Sequence, residues 1–195
     1  MVPSGARPEA LGAAWLLVAV SVLASVLTVL TLACYLFVYT PLKRKTPLCT
    51  LVGAFPGAMP PLIGWAAASG SIADREAWIV YALLFLWQFP HFMAIAWMYR
   101  EDYARADYSV FPATSQSRFL AWQTLAPSIL LVFVGLAAVS GGVPYYIATA
   151  VLGSGVFYYA ARQVHLQSRI AARELLKASI IYLPLQFLVL IMASS

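Results

Sequence analysis

Charge is what this chain has least of. Of its 195 residues 10% are Asp, Glu, Lys or Arg and 63% are hydrophobic, whereas soluble domains carry roughly 25% charged and 45–50% apolar residues. A water-soluble domain and a charged linker are excluded, and neither a low-complexity tract nor a short internal repeat is present. Acids are scarcer than bases, seven Asp and Glu against twelve Lys and Arg. The only aspartates are Asp74, Asp102 and Asp107. The two cysteines, Cys34 and Cys49, lie in or beside apolar runs without metal-ligand spacing, so neither a disulfide framework nor a zinc cluster is encoded.

What the chain has instead is a series of apolar runs, at about 11-40, 48-68, 77-98, 119-139, 144-161 and 178-193. Most approach the ~20 residues that cross a ~30 Å hydrocarbon core. Lipid leaves only helices and closed barrels able to satisfy the backbone, and continuous runs do not show the alternation of a barrel strand. The expected fold class is therefore all-α, a polytopic transmembrane helical bundle forming a single domain over 1-195. The first run is too long for the apolar core of a signal peptide and ends in Lys43, Arg44 and Lys45 without a small-residue cleavage site.

The net charge of +5 is to be read by position. Lys and Arg gather at Lys43, Arg44 and Lys45, at Arg100, Arg105 and Arg118, and at Arg162, Arg169, Arg173 and Lys177. These loops are expected on the cytoplasmic side, against anionic lipid, and nucleic acid is not expected as a partner. The connections between them, "SGSIADREA" and "SGGVPYY", are poor in cations and are expected opposite, with the C-terminus. The first run has no Gly, Pro or charge from Ala13 to Tyr39, and as one helix it would be about 45 Å long. It reads either as one tilted span or as two short legs broken near Ser21 to Ser25.

Polar residues inside apolar runs are the informative ones. In "LVGAFPGAMPPLIGW", residues 51 to 65, three prolines and three glycines are expected to kink or unwind the helix, making either a cavity wall or a close helix contact. In "FLWQFPHFMAIAWMYREDYARADY", residues 85 to 108, helical spacing puts Gln88, His91, Ile95 and Asp102 on nearly one face, a polar stripe from mid-span to the cytoplasmic mouth. An intramembrane ionisable group is costly, so His91 is either a site residue or hydrogen-bonded to a neighbouring helix. Asp102 and Asp107, among Arg100, Tyr103 and Arg105, could hold a hard cation such as Mg²⁺ while the arginines grip phosphate. The alternative is a solvated loop of mutually neutralising charges.

Four blocks in order, "YTPLKRKT", "GAFPGAMPPLIGWAAASG", "LWQFPHFMAIAW" and "REDY", resemble the protohaem IX farnesyltransferases (haem O synthases), a group within the UbiA-type intramembrane prenyltransferases. The resemblance runs from about residue 20 to the last helix. It implies a nine-helix enzyme of the bacterial inner membrane that transfers farnesyl from farnesyl diphosphate to a vinyl group of haem B. It also implies Mg²⁺ held by Asp102, with Asp107 beside it, and diphosphate contacted by Lys43, Arg44, Arg100 and Tyr103. His91 and Gln88 would lie on the haem side, aromatics such as Trp65, Phe89 and Phe92 would shield the allylic cation, and haem A synthase or terminal-oxidase assembly factors would be neighbours.

The chain departs from that family's pattern in two places. The first acidic motif, N-D-x-x-D-x-x-x-D, is absent, and "VPSGARPEAL" resembles the stretch just after it. The expectation is six or seven of nine helices and no haem O synthesis by the 195-residue chain alone. Asp107 stands where the family has Gly after Ala106. Three rival readings remain open: a prenyltransferase for a quinone or chlorophyll precursor, against which the W-Q-x-P-H block speaks, a membrane transporter, for which no inverted halves are visible, and a non-catalytic fragment.

The alternation of basic loops makes a direct prediction. With Cys34 and Cys49 replaced by serine, Ile72→Cys is expected to react with an impermeant thiol reagent added to intact cells, and Arg105→Cys to be protected. Equal protection of both would overturn the topology.

Overall fold

The structure is a computed structural model, and it describes residues 12, 15, 20–43, 45–46, 49–105, 116–138 and 140–194, without the side chains of Tyr103, Ala104, Gln116 and Ser117. Arg44 and Asp107 lie outside the described residues. Six long helices are present among them: α1 Val22–Leu42, α2 Cys49–Ser69, α3 Arg75–Met98, then after the short α4 Arg100–Arg105, α5 Gln116–Leu136, α6 Val143–Leu166 and α7 Arg169–Ser194. Five of them combine the length and apolarity of a membrane span. The other, α6, has the length at 24 residues but carries tyrosines, small polar residues and Arg162.

The first apolar run is not one helix. Ser21 has extended backbone and its side chain accepts from Ala24 N at 3.4 Å, capping α1. From that cap α1 runs as one full span of 21 residues rather than a short leg. Inside it, Cys34–Tyr39 winds more loosely, and the Thr40 N–H reaches back five residues to Tyr35 O. Such π-turns are rare and concentrate at functional sites. Of the kink or unwinding expected in α2, unwinding does not occur: the chain stays helical from Cys49 to Ser69 through Pro56, Pro60 and Pro61. Membrane helices tolerate proline because lipid offers the freed groups no better partner and neighbouring helices support them.

Helices α3, α5, α6 and α7 close a four-helix ring, each touching the next, and α2 and then α1 extend outward from α3. The ring's core contains Leu83, Leu131, Val156, Leu175 and Tyr182. Side-chain amides stitch it: Gln163 Nε2 of α6 donates to Met93 O of α3 at 3.3 Å, and Gln186 Nε2 of α7 to Thr149 Oγ1 of α6 at 3.3 Å. Arg75 donates to Ala137 O at 2.6 Å, tying together the two cation-poor loops at one end. The basic clusters stand at the other, where Arg162 pairs with Glu174 at 2.6 Å.

Close packing makes two glycines of α6 unequal. A Cβ on Gly153 would lie 2.8 Å from Val132 Cγ2 and 3.3 Å from Val132 Cα, whereas one on Gly155 meets nothing within 4 Å. Gly153→Leu is expected to destabilise the protein by about 1–3 kcal/mol through overpacking between α5 and α6. Gly155→Leu is expected to be neutral or mildly stabilising. Thermal unfolding in detergent checks both, and equal effects would contradict this packing.

Candidate active site

The loosened winding of α1 presents Tyr35 and Tyr39 one turn apart, their rings 5.1 Å centre to centre. Lys43 continues the row, its Nζ 5.9 Å from the Tyr39 ring centre. Across from them α2 is pared down to glycine: a Cβ on Gly53 would come within 2.7 Å of the Tyr39 ring, and one on Gly57 would collide with Gln88 Oε1. The glycines therefore admit side chains from both neighbouring helices. Between α1, α2 and α3 lies a cavity of about 1010 Å³, lined mainly by apolar groups such as Leu32, Ile63, Phe92, Met93 and Ile95.

Among the described residues charge enters this wall at one end only, with Lys43. Thr28 and Thr31 also line it, but their hydroxyls donate to their own helix, to Ala24 O at 2.8 Å and Leu27 O at 2.6 Å. Gln88 is 4% exposed and crosses from α3 to α2. Its Nε2 donates to Ala54 O and to Leu84 O, both at 3.2 Å. Because both partners are carbonyls, the amide nitrogen must face them and Oε1 must face away.

The sequence-derived polar stripe does not survive beyond the end of α3. Tyr99, at φ −110° and ψ 22°, leaves the helical region, so Asp102 belongs to α4 and its helical phase is not that of Gln88. Gln88 and His91, about 60° apart on α3, also part company, Gln88 reaching α2 at Ala54 O and His91 reaching α7 at Ser179. His91 Nδ1 lies 2.9 Å from Ser179 Oγ of α7, with its ring stacked on Trp87 at 4.5 Å. Ser179 Oγ donates to Leu176 O at 2.8 Å, so the His91 contact is an Nδ1–H donating to that oxygen. His91 is not among the cavity-lining residues.

A second recess of about 330 Å³ lies at the basic end, lined by Arg100, Glu101 and Asp102 from one side and Gln167, Ser168 and Arg169 from the other. Asp102 pairs with Arg105 at 3.3 Å, both well exposed, and the Arg100 guanidinium sits 5.1 Å from the Trp97 ring centre. Gln167 holds a left-handed φ of 44° that ends α6, turning the chain so that Ser168 Oγ can accept from Ala171 N at 3.1 Å.

The expected site residues are thus divided. Lys43 and Gln88 share the large cavity, Arg100 and Asp102 share the recess, and His91 stands between α3 and α7. Of the expected aromatic shield only Phe92 lines the cavity. Trp65 donates to Asp74 Oδ2 at 2.8 Å, toward the cation-poor loop, and Phe89 is buried between helices. Sequence reasoning missed Tyr35 and Tyr39, although their four-residue spacing to Lys43 was a usable signal, and it took Arg169 only as a lipid anchor. Among the described residues no three of His, Cys, Asp and Glu converge. Glu101 and Asp102 nevertheless both line the recess, and Mg²⁺ is commonly held by one or two carboxylates completed by substrate phosphate.

The described residues thus form a polytopic helical bundle with a mainly apolar cavity, in which Lys43 is the charged lining residue, and a separate polar recess at the basic end. The chain belongs to the UbiA prenyltransferase family, whose model matches residues 10–188. It is similar to the protein named protoheme IX farnesyltransferase of Solibacter usitatus, 45% identical over 170 residues covering 85% of this chain and 58% of that protein. It is also similar to proteins of the same name from Koribacter versatilis, 40% identical over 93% of this chain and 62% of that protein, and Opitutus terrae, 40% identical over 84% and 57%. The chain therefore spans about 60% of the length of these curated relatives. No solved structure matches it.

Proposed function

We propose that this chain carries the prenyl-binding part of a protohaem IX farnesyltransferase of the bacterial inner membrane, with its basic end in the cytoplasm. The observation that carries this reading is the apolar cavity with Lys43 as its only charged lining residue among those described, which suits a farnesyl chain lying in the cavity with its diphosphate at the cationic end. Lys43, Arg44 and Arg100 contact the diphosphate. Asp102 would hold Mg²⁺ from the recess, with Glu101 and Asp107 as further carboxylates, and the metal would supply charge neutralisation of the leaving group. The C–O bond breaks with its electron pair on the diphosphate, a haem B vinyl π-pair forms the new C–C bond to the allylic carbon, and the cation left on the inner vinyl carbon is quenched by water, which gives up a proton to leave a hydroxyl there. Gln88 acts from the cavity wall. His91, bonded to Ser179, fixes the rotation of α3 that brings Gln88 and Phe92 to the cavity.

Cys49 provides the test, because it lines the cavity while Cys34 does not. Farnesyl diphosphate with Mg²⁺ at ten times its Kd is expected to slow modification of Cys49 by a membrane-permeant maleimide about tenfold, leaving Cys34 unchanged. Asp102→Asn is expected to remove the Mg²⁺-dependent part of that protection. Undiminished reactivity of Cys49 at saturating farnesyl diphosphate would contradict the assignment.

A further inference from the structure

Tyr99 ends α3, and the side chain just past that break is nevertheless held in place. The Tyr99 N–H still bonds to Ile95 O while its backbone leaves helical geometry, so the course of α3 no longer aims Arg100, the first residue of α4. A long exposed arginine loses rotamer freedom when it is fixed, and among the described residues neither Glu101 nor Asp102 pairs with it, Asp102 being paired with Arg105. What holds it is Trp97, whose ring centre lies 5.1 Å from the guanidinium carbon. Trp97 is itself fixed. It is 7% exposed and belongs to one buried cluster with Met93 of α3, Leu120 of α5 and Ala172 of α7, against which Val164 of α6 packs. All four ring helices meet there, and Ala172 stands one turn beyond Arg169, so the cluster seats both helix ends that carry an arginine to the recess.

We infer that Trp97 is a positioning residue for the diphosphate end, holding the Arg100 guanidinium at the recess across the break in α3; this rests on the reading of Arg100 as a diphosphate contact. A guanidinium lying over a ring keeps its N–H donors at its own edge, free for phosphate oxygens. The contact therefore orients Arg100 without occupying the groups that bind. Because the ring is locked among four helices, α4 is tied to the bundle by a side chain as well as by the backbone at Tyr99.

The experiment uses the whole chain in lipid nanodiscs and reads affinity from protection of Cys49 against the maleimide. The ligands are farnesyl diphosphate with Mg²⁺ and farnesol, the same chain without its anionic head. Arg100→Gln is expected to weaken farnesyl diphosphate about tenfold, the scale of one charge-assisted hydrogen bond. Trp97→Leu is expected to weaken it about fivefold, the scale of one cation–π contact, and Trp97→Phe, which keeps an aromatic face, about twofold. None of the three is expected to move farnesol. Added to Arg100→Gln, either Trp97 substitution is expected to bring no further loss, because the side chain it positioned has gone; the Trp97→Phe cycle stands by itself should Trp97→Leu not fold. Losses that multiply in the double variants, or farnesol weakened as much as farnesyl diphosphate, overturn the positioning role and leave Trp97 a packing residue. Unchanged farnesyl diphosphate affinity in Arg100→Gln overturns it by removing Arg100 from the diphosphate. Failure of farnesyl diphosphate to protect Cys49 in the unmodified protein overturns the prenyl reading itself, and this inference with it.

Discussion

In this bundle a polar side chain inside the membrane has to find its partner on a neighbouring helix, and the positions of the helices follow from those bonds. Burial of apolar surface cannot hold helices together in lipid as it does in water, so packing and interhelical hydrogen bonds decide the arrangement. Here α3 is the centre of that network. It bonds to α2 through Gln88, accepts from α6 at Met93 O, and reaches α7 through Trp87, whose Nε1 donates to Ser179 O at 2.6 Å, and through His91. Tyr145 closes the ring by donating to Gly135 O between α6 and α5. Each bond is modest, about 0.6 kcal/mol on average in membrane settings. Their geometry matters more than their sum, because together they fix both the rotation and the height of α3.

That fixed rotation separates two environments on opposite sides of one helix. Toward α5, α6 and α7 its side chains are packed solid, with Leu83 and Ala94 fully buried. Toward α1 and α2, where Gly53 and Gly57 of α2 seat Tyr39 and Gln88, lies the large cavity. Cations stay at the basic end, where water and lipid headgroups solvate them, and leave the apolar length of the cavity free of charge. These two gradients of packing and charge suit an amphiphile, and Glu101, Asp102 and Arg169 line a separate recess at the same basic end of the bundle.

The spans were legible because hydrophobic run length reports the membrane directly. The runs at 48-68 and 77-98 match α2 and α3 within two residues at either end. The run at 178-193 found only the membrane part of α7, which starts at Arg169, because Arg173, Glu174 and Lys177 are helical outside the apolar core. Hydropathy reads the solvent, and the helix continues beyond it. The break at Tyr99 and the loosened turn at Cys34–Tyr39 left no such trace. Both depend on how the backbone meets its neighbours, so the face shared by Gln88 and Asp102, counted along an ideal helix, was lost while the residue types forming the cavity remained readable. The family's motif blocks marked Lys43 and Asp102 but could not show that they line different compartments.

The central proposal is farnesyl transfer to haem B by the protein that this gene encodes. Deletion of the gene at its own locus, followed by extraction and chromatography of membrane haems, tests it most directly. Loss of haem O with retention of haem B, reversed by restoring the gene, is the predicted result. Haem O at its normal level in the deletion strain would contradict the account.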